Sequence, residues 1–190
     1  GEYIYIHDCG YGHWLLEDLP AFLGAFKLKP EAGIICPTNP SPWLKYFLDS
    51  LPASSSICYI DSPISPECLI MAGKAAGQGH PSQGLSYNPK DIELLREYFH
   101  DYLDLSKKPS LKLFVSRNGL SRCPENILEI EEMMYAKGYK IINTGLVLSE
   151  QITLFSSAKK VIGLHGGALM NLVWCAKGTN VVELFSREYM

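Results

Sequence analysis

The sequence predicts an α/β chain of two lobes with parallel sheets, and three observations carry that reading. Short apolar runs of strand length alternate with longer segments of helical apolar period along the whole chain. Cap and stop residues stand at the joints, as at Asn88-Pro89 and Gly138. Residues 159–185 form a complete strand, helix, strand unit: Val161-Ile162-Gly163-Leu164 leads through His165 to the pair Gly166-Gly167, and after Lys177-Gly178 a second β-branched run ends in Glu183. An alternating order needs crossovers that return each strand parallel to the last, so both sheets are expected to be parallel.

In chain order, residues 2–7 alternate tyrosine and isoleucine as a strand. Beyond Gly12, Leu15, Leu16, Leu19, Phe22, Leu23 and Phe26 recur at helical spacing, with Pro20 expected to kink or split that helix near Glu17. Strands are expected at 32–36, 56–60 and 68–71, and a helix at 41–50 with Pro42 in its first turn. Residues 73–87, rich in Gly, Ser, Gln and His, read as a long loop. Asn88 caps a helix that starts at Pro89 and runs to about Asp104. Ser106-Lys107-Lys108-Pro109 is the best linker, dividing a lobe of residues 1–105 from one of 106–190. Past it come a strand at 111–115, a helix at 125–137 with Ile127, Ile130 and Met134 inward, a strand at 139–143 and a helix at 149–158 capped by Ser149.

Composition bounds the function. With 47% hydrophobic and 19% charged residues, the 190-residue chain can build a buried core. A net charge of -3 gives no electrostatic reason to expect nucleic acid or an acidic membrane. No apolar run approaches the roughly 20 residues of a membrane span, and no signal peptide is visible. The six cysteines are scattered without zinc-like spacing, which suits reduced thiols and a cytoplasmic setting, while their even number leaves disulfides as the other reading. The chain opens inside a strand-like run and stops just after another, and so reads as a piece of a longer protein.

Two stretches carry chemistry. The glycine pair at 166–167 lets backbone approach a ligand and, in an α-helix, would leave its first amides unpaired for an anion; a plain tight turn is the other reading. Arg117 and Arg122 lie on the loop after the strand at 111–115, which parallel strands deliver to the same edge as Gly166 and Glu183. Two forked guanidinium groups there suit a diphosphate, and Glu183 suits ribose hydroxyls; solvated surface arginines are the alternative. In the first lobe, His13 and Glu17 share a helix face four residues apart, with Asp18 beside them. Glu17 is the best candidate for proton transfer, against the reading that Glu17 and Asp18 are the polar side of an amphipathic helix. His13 fits a capping role as well as a catalytic one. His7-Asp8 has no second ligand pair at suitable spacing, so no metal site is expected. Gly163-Leu164-His165-Gly166-Gly167 is not the dinucleotide turn Gly-x-Gly-x-x-Gly, which disfavours an oxidoreductase.

These motifs together resemble glycosyltransferase family 61: Gly12-His13-Trp14-Leu15-Leu16-Glu17-Asp18-Leu19-Pro20, Ser116-Arg117 with Arg122, Ser149-Glu150-Gln151 through Phe155 and Ala158, and Ile162-Gly163-Leu164-His165-Gly166-Gly167-Ala168-Leu169-Met170-Asn171 with Val181-Val182-Glu183. That family includes capsular-polysaccharide-type bacterial enzymes, plant xylosyl- and arabinosyltransferases and O-linked N-acetylglucosaminyltransferases. The resemblance implies an inverting transferase with two Rossmann-like lobes of the GT-B type, a nucleotide sugar held by the second lobe and acceptor chemistry in the first. It puts Arg117, Arg122, His165, Gly166, Gly167, Ala168 and Asn171 in the donor-phosphate region and makes Glu17 the general base. Metal is then not required, because arginines and helix dipole neutralise the departing diphosphate. The chain has Pro124-Glu125-Asn126 where the family pattern has Asn-Glu, and His-Gly-Gly-Ala in place of His-Gly-Ala-Gly. A module that binds nucleotide or glycan without turnover is the alternative function.

Overall fold

A computed structural model describes residues 1–73, 76–77, 86–103, 108–143 and 145–185. The chain divides into two compact units, Gly1–Phe99 and His100–Met190. The expected boundary after Leu105, and the first half of the linker, lie outside the described residues.

The first unit holds a four-stranded sheet, β1 (Glu2–Tyr5), β2 (Gly33–Pro37), β3 (Ile57–Ile60) and β4 (Cys68–Ile70), in the order β3-β2-β1-β4 with every pairing parallel. β1 is therefore a central strand, and the loop that leaves it opens at the carboxyl edge of the sheet. Chain from that loop enters α1 (Tyr11–His13), passes through a π turn (Trp14–Asp18) and continues as α2 (Leu19–Leu28). The cause of the π turn is Pro20. It brings no N–H to the helix, and its ring crowds the carbonyl four residues back, so the helix widens there and the Leu19 amide bonds to the Trp14 carbonyl, five residues back.

The apolar spacing read from the sequence is the buried face: Trp14, Leu15 and Leu19 have no exposed surface, and Phe22 almost none. Phe47, on α3 (Pro42–Asp49), packs against Trp14, Phe22, Tyr98 and Phe99, tying α3 and the end of α4 (Pro89–Tyr98) to the long helix. Caps stand where expected: the Ser41 side chain accepts from the Leu44 amide and the Asn88 side chain from the Lys90 amide. α4 stops at Tyr98 and is followed by a 3-10 turn, His100–Tyr102, so it is shorter than its apolar run suggests. Most of the expected loop at 73–87 lies outside the described residues; Ala76–Gly77 and Ser86–Tyr87 pair as antiparallel strands β5 and β6.

In the second unit β7 (Leu111–Val115), β8 (Lys140–Ile142), β9 (Ala158–Leu164) and β10 (Asn180–Leu184) make a sheet ordered β10-β9-β7-β8, again wholly parallel. Phe114, Ile127, Tyr139 and Leu164 form a buried cluster, with Ile130 and Met134 of α5 (Ile127–Ala136) packed against it as their spacing requires. Two local expectations are corrected. α6 (Leu148–Ser156) is entered from Val147, whose amide donates to Glu150, so Ser149 lies inside the helix and does not cap it. The segment after the glycine pair is a 3-10 helix (Gly167–Trp174) in place of an α-helix. No helix among the described residues is long and apolar enough to cross a membrane.

Candidate active site

The loop that follows β7 is fixed from below by a carboxylate that sequence reading passed over. Ser116, buried, donates its hydroxyl hydrogen to Glu131 of α5 at 2.6 Å and accepts from the Asn118 amide at 3.1 Å. The Asn118 side chain donates to the other Glu131 oxygen at 3.3 Å. Glu131 lies in an acidic run with Glu129 and Glu132, but it alone of the three is partly buried, and its place four residues after Ile127 and three before Met134 is the signal that could have found it.

Arg117 is 9% exposed and fastens this loop to the end of β9. Its Nε donates to the Ser121 carbonyl at 3.0 Å and its Nη1 to the His165 carbonyl at 3.1 Å. Gly166 is the residue that makes room: its φ is +152°, and a Cβ built there would lie 1.9 Å from Arg117 Nη1. The glycine is thus required by the guanidinium as well as by the turn. Gly163, two strand positions before His165, is required by packing, since a Cβ there would meet Leu169 at 2.5 Å. Arg122 adopts φ +61°, the left-handed region, alone among described non-glycine residues.

Arg117, Arg122, Pro124, Leu164, His165, Leu184 and Phe185 line one solvent-open crevice of about 320 Å³ at the carboxyl edge of the sheet. Much of that space is open solvent; the enclosed part is about 60 Å³, well below the roughly 300 to 1,000 Å³ of small-molecule sites, and takes one group of an extended ligand. His165 stacks on Phe185 with ring centroids 4.8 Å apart, and its Nδ1 pairs with Glu183 at 2.8 Å. Glu183 is therefore engaged by the imidazole beside the crevice.

Sequence reading placed the glycine pair at the start of an α-helix. In the 3-10 winding the Leu169 amide already bonds to the Gly166 carbonyl at 2.9 Å, which leaves the Gly167 and Ala168 amides ahead of that bond. Asn171 does not reach the crevice surface. It is 1% exposed; its amide donates to Gln151 of α6 at 2.7 Å and to the Ala168 carbonyl, and its oxygen accepts from Trp174 Nε1 at 3.1 Å.

In the first unit the π turn carries both candidate acids into the interior. Glu17 is 5% exposed, and its carboxylate meets Nδ1 of His13 at 2.6 Å, the contact that i, i+4 spacing predicts. Tyr87 of β6 stands near enough that the negative charge of Glu17, added to burial, raises its phenol above the ordinary range. Asp18, 9% exposed, turns elsewhere. It accepts from the Cys9 thiol at 3.0 Å and faces His7 Nδ1 at 3.4 Å. Asp8, between those two, accepts instead from the Ser41 amide at 2.6 Å. All six cysteines are free thiols.

The sequence profile of the family described as Glycosyltransferase 61 matches residues 11–182, nearly the whole chain, and spans the His13–Glu17 pair, both arginines and the glycine turn. The chain belongs to glycosyltransferase family 61. As a family 61 chain it carries the Rossmann-like α/β architecture in two parallel sheets. Among solved structures it is similar to a dodecameric iron-containing heptosyltransferase, TibC, in complex with ADP-D-β-D-heptose, with 14% identity and a TM-score of 0.45 over 97% of this chain and 57% of that one. The family 61 chain thus spans a little over half the length of that protein. No curated protein matches it significantly.

Proposed function

We propose that the chain acts as an inverting glycosyltransferase of the GT-B type, moving a hexosyl or pentosyl group from a nucleotide diphosphate donor to a hydroxyl of a saccharide or similar acceptor. Membership of family 61 supports glycosyl transfer, and the convergence of Arg117, Arg122 and His165 on one crevice is the observation that carries the donor assignment. A nucleotide diphosphate is a chain of anionic oxygens, and two guanidinium groups with the adjacent Gly167 and Ala168 amides match it donor for charge. On this reading no metal ion is needed at the phosphates. Phe185 and the His165 ring offer a flat apolar wall next to them. The acceptor side is supplied by Glu17. A buried carboxylate held at 2.6 Å by His13 can take the proton of an acceptor hydroxyl as its oxygen attacks the anomeric carbon, while the bond to the diphosphate breaks and the nucleotide leaves as an anion. One displacement inverts the anomeric centre.

The test is Glu17→Gln. It should leave nucleotide diphosphate affinity within about twofold and lower transfer by at least about 100-fold, the usual contribution of a general base. Normal transfer by that variant would remove Glu17 from the role. Nucleotide binding by the unaltered chain with neither transfer nor donor hydrolysis would mark a binding module.

A further inference from the structure

We infer that His7, Cys9 and Asp18 form a site for a divalent transition-metal ion of the zinc class. Among the described residues this is the one group of three or more His, Cys, Asp or Glu side chains whose ligand atoms converge, all lying within 4.8 Å of one another. The separations are near what a metal asks for. Bonds of about 2.0–2.3 Å from a tetrahedral ion to nitrogen, oxygen and sulfur put ligand atoms roughly 3.3–3.8 Å apart. Asp18 Oδ1 stands 3.4 Å from His7 Nδ1 and Asp18 Oδ2 stands 3.0 Å from Cys9 Sγ, so the carboxylate already faces both other ligands, and an ion would draw one atom of each in from separations of at most 4.8 Å.

The supports of the site point the same way. His7 and Cys9 leave the end of central strand β1 two residues apart and reach one carboxylate, while Asp8 between them is held aside by the Ser41 amide. Asp18 is fixed by the π turn and nearly buried, whereas His7 is about half exposed and supplies a route for the ion. An imidazole, a thiolate and a carboxylate make a donor set suited to zinc and, by the same softness, cobalt(II), and they exclude magnesium or calcium as the natural occupant. Three protein ligands leave a fourth position for water or a substrate oxygen. The assignment divides the two neighbouring acids: Glu17 belongs to His13, and Asp18 to the metal. It does not depend on the transferase reading.

Without an ion the Cys9 thiol hydrogen lies on Asp18, so binding must release that proton, and affinity must rise with pH. The experiment is titration of the chain with cobalt(II) and then zinc, following the thiolate-to-cobalt absorption band and, by calorimetry in buffers of different ionisation enthalpy, the protons released. The expected result is one ion per chain, about one proton released, displacement of cobalt by zinc, and loss of the band in Cys9→Ser. His7→Gln, at an exposed position that leaves the fold intact, should weaken binding at least tenfold. A band that persists in Cys9→Ser, or cobalt affinity in His7→Gln equal to that of the unaltered chain, would overturn the site, because the ion would then be held by other thiols.

Discussion

A single atom placement decides whether residue 166 can carry a side chain. Gly166→Ala must push Arg117 Nη1 off the His165 carbonyl and also hold φ +152°, a conformation unfavourable to alanine. The expected cost is about 2–4 kcal/mol, with weaker nucleotide binding. In an Arg117→Ala background the clash is gone and only the backbone strain is left, so the two substitutions should be non-additive by about 1 kcal/mol or more in urea denaturation. Strict additivity would show that the two residues do not share a contact. Arg122 invites the opposite experiment. Its left-handed backbone costs an arginine about 1–2 kcal/mol, so Arg122→Gly trades that strain against added unfolded-state freedom and should leave stability within about 0.5 kcal/mol. Nucleotide diphosphate affinity should nonetheless fall at least tenfold. Unchanged affinity would remove Arg122 from the donor site. Both arginines were legible in the sequence as residues of one sheet edge, because parallel strands deliver their loops together. That Arg117 is also a strut between two loops was not, since its carbonyl partners depend on tertiary approach and leave no mark in side-chain pattern.

Elements were legible where their signals are local. Asn88-Pro89 caps and starts α4, Ser41-Pro42 does the same for α3, and the three- to four-residue rhythm from Leu15 to Phe22 is the buried face of the long helix. The His13–Glu17 contact follows from the same geometry. What the helix does between Trp14 and Asp18 was only half legible: Pro20 announced a disturbance, but a kink, a split and a π turn all answer it, and only the folded chain shows the π winding with Asp18 against Cys9. The segment after Gly166 went the other way, wound tighter than an α-helix. Asn171 holds it there by bridging Gln151 of α6, the Ala168 carbonyl and the indole of Trp174. Asn171→Ala would remove its bonds to Gln151, the Ala168 carbonyl and the Trp174 indole from a buried site, a loss of about 2–4 kcal/mol. If the 3-10 segment presents its first amides to the donor, this variant should weaken nucleotide binding as well, although Asn171 itself is buried behind them. A variant that loses stability and keeps full affinity would separate the strut from the site.

At the scale of the whole molecule, the shifted groups that titrate in alkali all favour the protonated native chain. Burial, helped by the charges of Cys58 and Asp8, raises the Cys36 thiol from 9.0 to about 11. Burial also raises the phenols of Tyr87 and Tyr98, with a partly offsetting hydrogen bond between Tyr98 and Ser50. An acid whose folded value is raised keeps its proton in the native chain after the unfolded chain has lost it. The native state then binds more protons than the unfolded one, and stability must fall as pH rises through that window. The denaturation midpoint in urea should hold steady up to about pH 9 and decline between pH 9 and 11 without a change in slope. Cys36→Ala is expected to start lower, because Cys36 has no exposed surface and its removal leaves a cavity, yet to decline less steeply over the same interval. Parallel curves for the two proteins would mean that the thiol contributes nothing to the alkaline limb and that the phenols, with Lys45 held up by its bond to Asp49, carry it. The same burial makes Cys36 the slowest thiol toward alkylation at pH 8 and leaves the exposed Cys68 among the fastest, so a labelling time course reads the shift without unfolding the chain.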